Sequence, residues 1–125
     1  MGSAESYIHY GTGWANVGCT PFTLYKHYSH EGGISTPCII RWGDHVKNKG
    51  GIDHQPAQFV DIMSTCCELA GATYPEEYRG RKILPTAGVS ILPIVEGKQM
   101  PDRYIYNVHE GNLRVRKGDW TLSAA

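Results

Sequence analysis

Hydrophobic and polar positions alternate in two distinct rhythms along this chain. Phe59, Ile62, Met63, Cys66, Cys67 and Ala70 recur at i, i+3, i+4 spacing, which draws one apolar stripe along a helix. The spacing predicts a helix over about 56–70. Asp61, Ser64, Thr65 and Glu68 fall on its other, solvent-facing side, and Gly71 is placed to end it. Residues 103–108 follow the strand rhythm instead: Tyr104, Tyr106 and Val108 share one face, Ile105 and Asn107 the other. Residues 112–116 and 120–123 flank Lys117-Gly118-Asp119 and predict a β-hairpin. A further run, 36–42, is β-branched and aromatic and reads as a strand in which Pro37 fits only near the start.

The remaining segments are read from their turn residues. Residues 1–20 are rich in Gly, Ser and Thr and read as an irregular lead-in. Pro21 suits the first position of a short helical turn over 21–28. Gly50-Gly51 marks a polar connection over 43–56, Pro75 and Pro85 mark a loop over 74–88, and 90–96 fits one helical turn. The elements add up to an α/β domain spanning 1–125. It has the lead-in over 1–20, an α/β part over 21–99, and a strand plus hairpin over 100–125. In such a domain Trp14, Trp42 and Trp120 are expected to pack inside. Cys66 and Cys67, adjacent on the apolar stripe, are expected to be buried thiols.

Composition narrows the functional classes. Twelve basic residues balance twelve acidic ones, so no net field favours nucleic acid or an anionic membrane. The two local basic clusters, 79–82 and 114–117, read as solvated faces. No run approaches the ~18 apolar residues of a membrane span. The first residues show neither a basic nor an apolar signal region, which reads as a cytoplasmic product. Four cysteines make no disulfide-scaffold pattern. Phosphate-loop, dinucleotide and serine-hydrolase motifs are absent.

Candidate chemistry concentrates in Tyr25-Lys26-His27-Tyr28-Ser29-His30-Glu31-Gly32-Gly33. The segment has no regular period and reads as a loop carrying charged groups to the end of the 36–42 strand, where α/β proteins hold ligands. Lys26 is a compact cation suited to an oxyanion. His27, His30 and Glu31 are close enough to brace one another, yet they form no zinc-ligand pattern, and no metal site is expected. Gly32 and Gly33 allow positive φ and close backbone approach. His109, at the end of a strand before Glu110-Gly111, is a second candidate contact.

The same residues carry a family resemblance. Trp14-Ala15-Asn16-Val17, Thr20-Pro21-Phe22, Tyr25-Lys26-His27, His30-Glu31-Gly32-Gly33-Ile34 and Thr36-Pro37 appear in order. They are followed by Val60-Asp61-Ile62-Met63 with Glu68-Leu69-Ala70-Gly71, then Gly88-Val89-Ser90-Ile91-Leu92-Pro93. His109-Glu110-Gly111-Asn112 and Val115-Arg116-Lys117-Gly118-Asp119-Trp120 close the series. This ordered set resembles the C-terminal half of a type I, arylsulfatase-like catalytic domain of the alkaline phosphatase superfamily. The resemblance implies a partial, mixed sheet and sulfate contacts at Lys26 and His109, with His27, His30, Glu31, Gly32 and Gly33 as the supporting loop. Intact relatives use formylglycine and calcium and are often periplasmic, secreted or lysosomal. The Cys/Ser-x-Pro/Ala-x-Arg motif that yields formylglycine is absent here. Cys19, Cys38, Cys66 and Cys67 all stand in other contexts, and the Asp-Asp and Asp-Asn-Gly metal motifs are absent too. The catalytic set is therefore incomplete, with no cofactor of its own, and the chain alone is expected to be inactive as a sulfatase. The partner this implies is the missing N-terminal half or a second copy of the chain. The alternative is a non-catalytic oligomeric binding or assembly module able to hold sulfate or phosphate.

Overall fold

A computed structural model describes Ser3, Glu5 and residues 9–124. They form two compact units, one of Met1–Cys38 with Asp102–Ala125, the other of Ile39–Pro101. The α/β class expected from the pattern holds: among the described residues four helices accompany a two-stranded and a three-stranded sheet.

The Ile39–Pro101 unit is built on helix α3, Phe59–Ala70. It lies within the predicted 56–70, and Gly71 ends it in the left-handed conformation (φ 60°, ψ 25°). The apolar stripe is also where the spacing put it, but its direction is reversed. Phe59 is 82% exposed, Ile62, Met63 and Cys66 are exposed, and Asp61 is fully buried. The reason lies in what the helix packs against. The segment 86–91 presents backbone groups that need partners, and the polar side of α3 supplies them. Asp61 Oδ1 accepts the Val89 N–H at 3.0 Å, and its Oδ2 accepts the Gln58 N–H at 2.7 Å, capping the helix start. Ser64 Oγ donates to the Gly88 carbonyl at 2.9 Å, and Thr65 Oγ1 accepts the Ile91 N–H at 3.0 Å. The short helix Leu92–Val95 (α4) follows, where one helical turn was predicted, and Ile91 and Val95 are buried. The 74–88 loop contains a small antiparallel pair, Glu77–Tyr78 (β1) with Arg81–Lys82 (β2).

The other unit carries a meander of β3 (Tyr104–His109), β4 (Asn112–Lys117) and β5 (Trp120–Ala124). The strand and hairpin fall where the alternation placed them. Register pairs His109 with Asn112 around Glu110-Gly111, and Lys117 with Trp120 around Gly118-Asp119. Ile105 is buried, whereas Tyr104, Tyr106, Val108, Leu113, Trp120 and Leu122 are exposed. Among the described residues only Ile91, Val95 and Ile105 are buried apolar side chains. The chain exposes 10391 Å²; two compact bodies of this size would together expose ~8,000 Å².

Several expectations are corrected. Residues 36–42 form no strand and are all exposed, because β-propensity makes a strand only where a partner ladder exists, and the described residues offer none there. The 21–28 segment is irregular. The helical turns lie on either side of it, at Thr12–Gly18 (α1), inside the expected irregular lead-in, and at Glu31–Ile34 (α2). A 3-10 turn occupies Gly43–His45. Trp14 (67% exposed) and Trp120 (85%) are not core residues, and Trp42, just before the 3-10 turn, is also exposed. Cys66 is exposed and Cys67 half-buried, since their stripe faces outward, and all four cysteines are free thiols. No helix among the described residues is long and apolar enough to cross a membrane.

Candidate functional site

The site is assembled in the Met1–Cys38, Asp102–Ala125 unit, where the loop 25–30 and helix α2 meet the sheet. One buried cation fastens them. Arg114, on β4, is 6% exposed. Its Nη2 donates to Glu31 Oε1, its Nη1 to the Ser29 carbonyl at 3.5 Å, and its Nε to Thr121 Oγ1 at 2.7 Å. Ser29, itself buried, donates its hydroxyl to the Leu113 carbonyl at 2.9 Å. Strand alternation explains the placement: Arg114 shares a sheet face with Ile105, Asn107 and His109, opposite the face of Tyr104, Tyr106 and Val108. The reading of 114–117 as a wholly solvated face is thus corrected at Arg114. Its rigid, planar fork spreads donors toward Glu31, Ser29 and Thr121 at once, a geometry that the compact ammonium of lysine does not have.

The brace brings His27 beside His109. Their rings meet edge to face at 5.7 Å, and His27 Nδ1 lies 2.7 Å from Glu110 Oε2. His109 Nε2 is 4.0 Å from Glu110 Oε1. All three side chains are exposed. Two of them stand on unusual backbone, His27 at φ 104° and Glu110 at φ 48°. Glu110 and Gly111 (φ 85°) form the two-residue hairpin loop, a geometry that normally selects Asn, Asp or Gly at its first position.

The other residues singled out from the sequence are placed as follows. Lys26 is exposed on the loop. His30 precedes α2 as its N-cap residue, and its buried Nδ1 has no hydrogen-bond partner among the described residues. It is Glu31, not His30, that holds the loop. Neither Gly32 nor Gly33 has positive φ. They are needed for close approach: a Cβ on Gly32 would collide with the Thr23 and Leu24 carbonyl oxygens, and one on Gly33 with those of Tyr25 and Tyr28. Gly33→Ala is expected to destabilise this unit by about 1–3 kcal/mol, as overpacking does. A urea midpoint unchanged from that of the parent would contradict it.

Glu110 and Arg114 escaped the sequence reading as site residues. The signal for Arg114 was its alternation with Leu113 and Val115, which puts it on the face of His109. For Glu110 it was a carboxylate where a turn residue belongs.

The family metals and cofactors can be tested against these donors. Among the described residues, His27, His109 and Glu110 are the one group of three or more metal-ligating side chains close enough to share an ion. Calcium takes six to eight oxygens, and two imidazoles with one carboxylate do not fit it. None of the four cysteines stands in a formylglycine motif. Elsewhere, a shallow pocket of about 370 Å³ is lined by Trp42, His45, Lys47, Leu92, Glu96 and Lys98. Trp42 and His45 stack there at 4.0 Å, and a hydrogen bond from the Lys98 ammonium holds the Glu96 carboxyl below the usual carboxylate range. None of the residues expected to contact sulfate lines it.

The exposed loop bearing Lys26 and His27 is fastened through Arg114 to the central strand β4, and the sequence relatives give the chain a family. No family model matches the chain. An uncharacterized sulfatase of Schizosaccharomyces pombe is 32% identical over 124 residues, covering 96% of this chain and 22% of the relative. An arylsulfatase of Klebsiella aerogenes is 33% identical over 99 residues, 78% of this chain and 21% of the relative. Human steryl-sulfatase is 32% identical over 95 residues, 76% of this chain and 15% of the relative. The chain belongs to the sulfatase family over the segment it shares with them, and it spans only about a fifth of their length.

Proposed function

We propose that this chain provides the sulfate-holding part of a sulfatase site, with Lys26 as the principal cation and His109 as a second contact, and that it does not hydrolyse sulfate esters by itself. The observation that carries the reading is the brace from Arg114 to Glu31 and Ser29, which fixes the Lys26 loop against the strand end bearing His109. Sulfate-ester cleavage builds negative charge on the ester and leaving oxygens, and fixed cations lower that barrier. A nucleophile is also needed, and no residue of this sequence is set up as formylglycine. The formylglycine and calcium of intact relatives would come from other residues than these.

Calorimetric titration with sulfate and with phosphate tests the binding claim. Lys26→Ala is expected to weaken sulfate binding about 10-fold or more, the worth of one charge-assisted contact. Equal affinity in parent and variant would refute the role of Lys26. Hydrolysis of an aryl sulfate by this chain alone would refute the claim of inactivity.

A second reading, a non-catalytic assembly module, rests on the uncovered apolar sides of α3 and of the β3–β5 sheet. Exposed apolar area of this extent marks a protein interface. In this reading the cover is another polypeptide, either the remainder of a sulfatase domain or a second copy. Light scattering on the purified chain separates the two: a defined oligomer supports the second copy, whereas a polydisperse profile supports an incomplete domain.

A further inference from the structure

We propose that His27, His109 and Glu110 form a binding site for a divalent transition-metal ion of the zinc type. The ligand chemistry comes first. Imidazole nitrogen and a single carboxylate suit zinc and its late first-row neighbours, while hard cations want oxygen alone. Three protein ligands leave a coordination position for water or for an anion, the pattern of open zinc sites.

The geometry comes second. The three donor atoms lie within 4.8 Å of one another. Bonds of about 2.1 Å in a tetrahedral arrangement separate ligand atoms by about 3.4 Å. His27 Nδ1 must therefore open slightly from its 2.7 Å to Glu110 Oε2, and His109 Nε2, now 4.0 Å from the other oxygen, Oε1, must move closer to the carboxylate. Side chains that are half exposed, at 50%, 56% and 60%, can make both adjustments by rotating in solvent.

The backbone supplies a third argument. His27 and Glu110 both adopt positive φ, a region costing about 1–3 kcal/mol for non-glycine residues and concentrated at functional sites. A plain hairpin would carry Asn, Asp or Gly where Glu110 stands. The strain persists because the Arg114 brace fixes the loop, and the two-residue turn fixes the hairpin end. Ligands from distant parts of the chain are thus brought together before any ion arrives.

The inference shares His109 with the sulfate reading but requires neither Lys26 nor hydrolysis. The probe is Zn²⁺ alone, titrated calorimetrically into the full chain, with Co²⁺ as the spectroscopic substitute. One ion per chain is expected. Because the three side chains are exposed, His109→Gln and Glu110→Gln should keep the parent far-UV circular dichroism. Each should also weaken Zn²⁺ binding beyond the ~10–100-fold that changes outside the ligand shell produce. Visible Co²⁺ bands without thiolate charge transfer are expected, because Cys19, Cys38, Cys66 and Cys67 take no part. Absence of Zn²⁺ binding would overturn the proposal. So would undiminished affinity in both folded variants, or a thiolate band that puts the ion on cysteine. Loss of sulfate binding with Zn²⁺ binding intact would count against the sulfate reading and leave the metal site standing.

Discussion

Replacing Asp61 by Ala is expected to cost the Ile39–Pro101 unit about 3–6 kcal/mol. The carboxylate is fully buried and accepts two backbone donors, from Gln58 at the start of α3 and from Val89 on the facing segment. Hydrogen bonds to a charged group contribute about 1.5–3 kcal/mol each, and their loss leaves buried donors unpaired. Few apolar contacts can compensate, since Ile91 and Val95 are the only buried hydrophobic side chains of that unit among the described residues. Asp61→Asn keeps one acceptor oxygen but turns an amide NH₂ toward one of the two donors, so about half the penalty remains. Urea unfolding of parent and both variants gives the ranking. Hydrogen exchange at the Gln58 and Val89 amides shows whether the loss is local. An Asp61→Ala unfolding free energy within about 0.5 kcal/mol of the parent, the range of a neutral surface change, would refute this account of the packing.

Arg114→Met should destabilise the other unit by about 3 kcal/mol and disorganise the loop it holds. The substitution keeps a long apolar stem but removes the donors to Glu31, Ser29 and Thr121. Breaking a buried pair by removing one partner commonly costs about 3–5 kcal/mol. The lower end applies here because Glu31 is 41% exposed and can rehydrate. The diagnostic signal is a nuclear magnetic resonance chemical-shift change at His27 and His109, which Arg114 does not touch through any of these bonds. Unchanged histidine resonances in a folded Arg114→Met chain would show that the loop is held by something else.

Elements with a strong local period could be read from the sequence. Helix α3, the turn at α4 and the three strands of the meander all fall where spacing placed them, because 3.6- and 2-residue rhythms are properties of neighbouring positions. The side of an element that becomes buried is not such a property. The stripe of Phe59, Ile62 and Met63 announced amphipathicity, but burial went to Asp61, Ser64 and Thr65 because irregular backbone over 86–91 needed hydrogen bonds. Residues 36–42 had strand composition and found no ladder. The helix at Thr12–Gly18 was invisible because Thr-Gly-Trp-Ala-Asn-Val-Gly has no apolar period. At the site, His27 and His109 stood out singly, and only the fold set them together. Glu110 looked like a turn residue, and Arg114 looked like one more surface charge.

The meander has two chemically distinct sides. His109, Arg114 and Thr121 occupy one; Tyr106, Leu122 and Trp120 occupy the other. If the proposed docking and ligand capture fall on opposite sides, the two events should be separable optically. Trp120 indole emission is expected to shift when the aromatic side is covered, through the loss of water around the ring, whereas an ion or oxyanion added at the imidazole side should leave its colour unchanged.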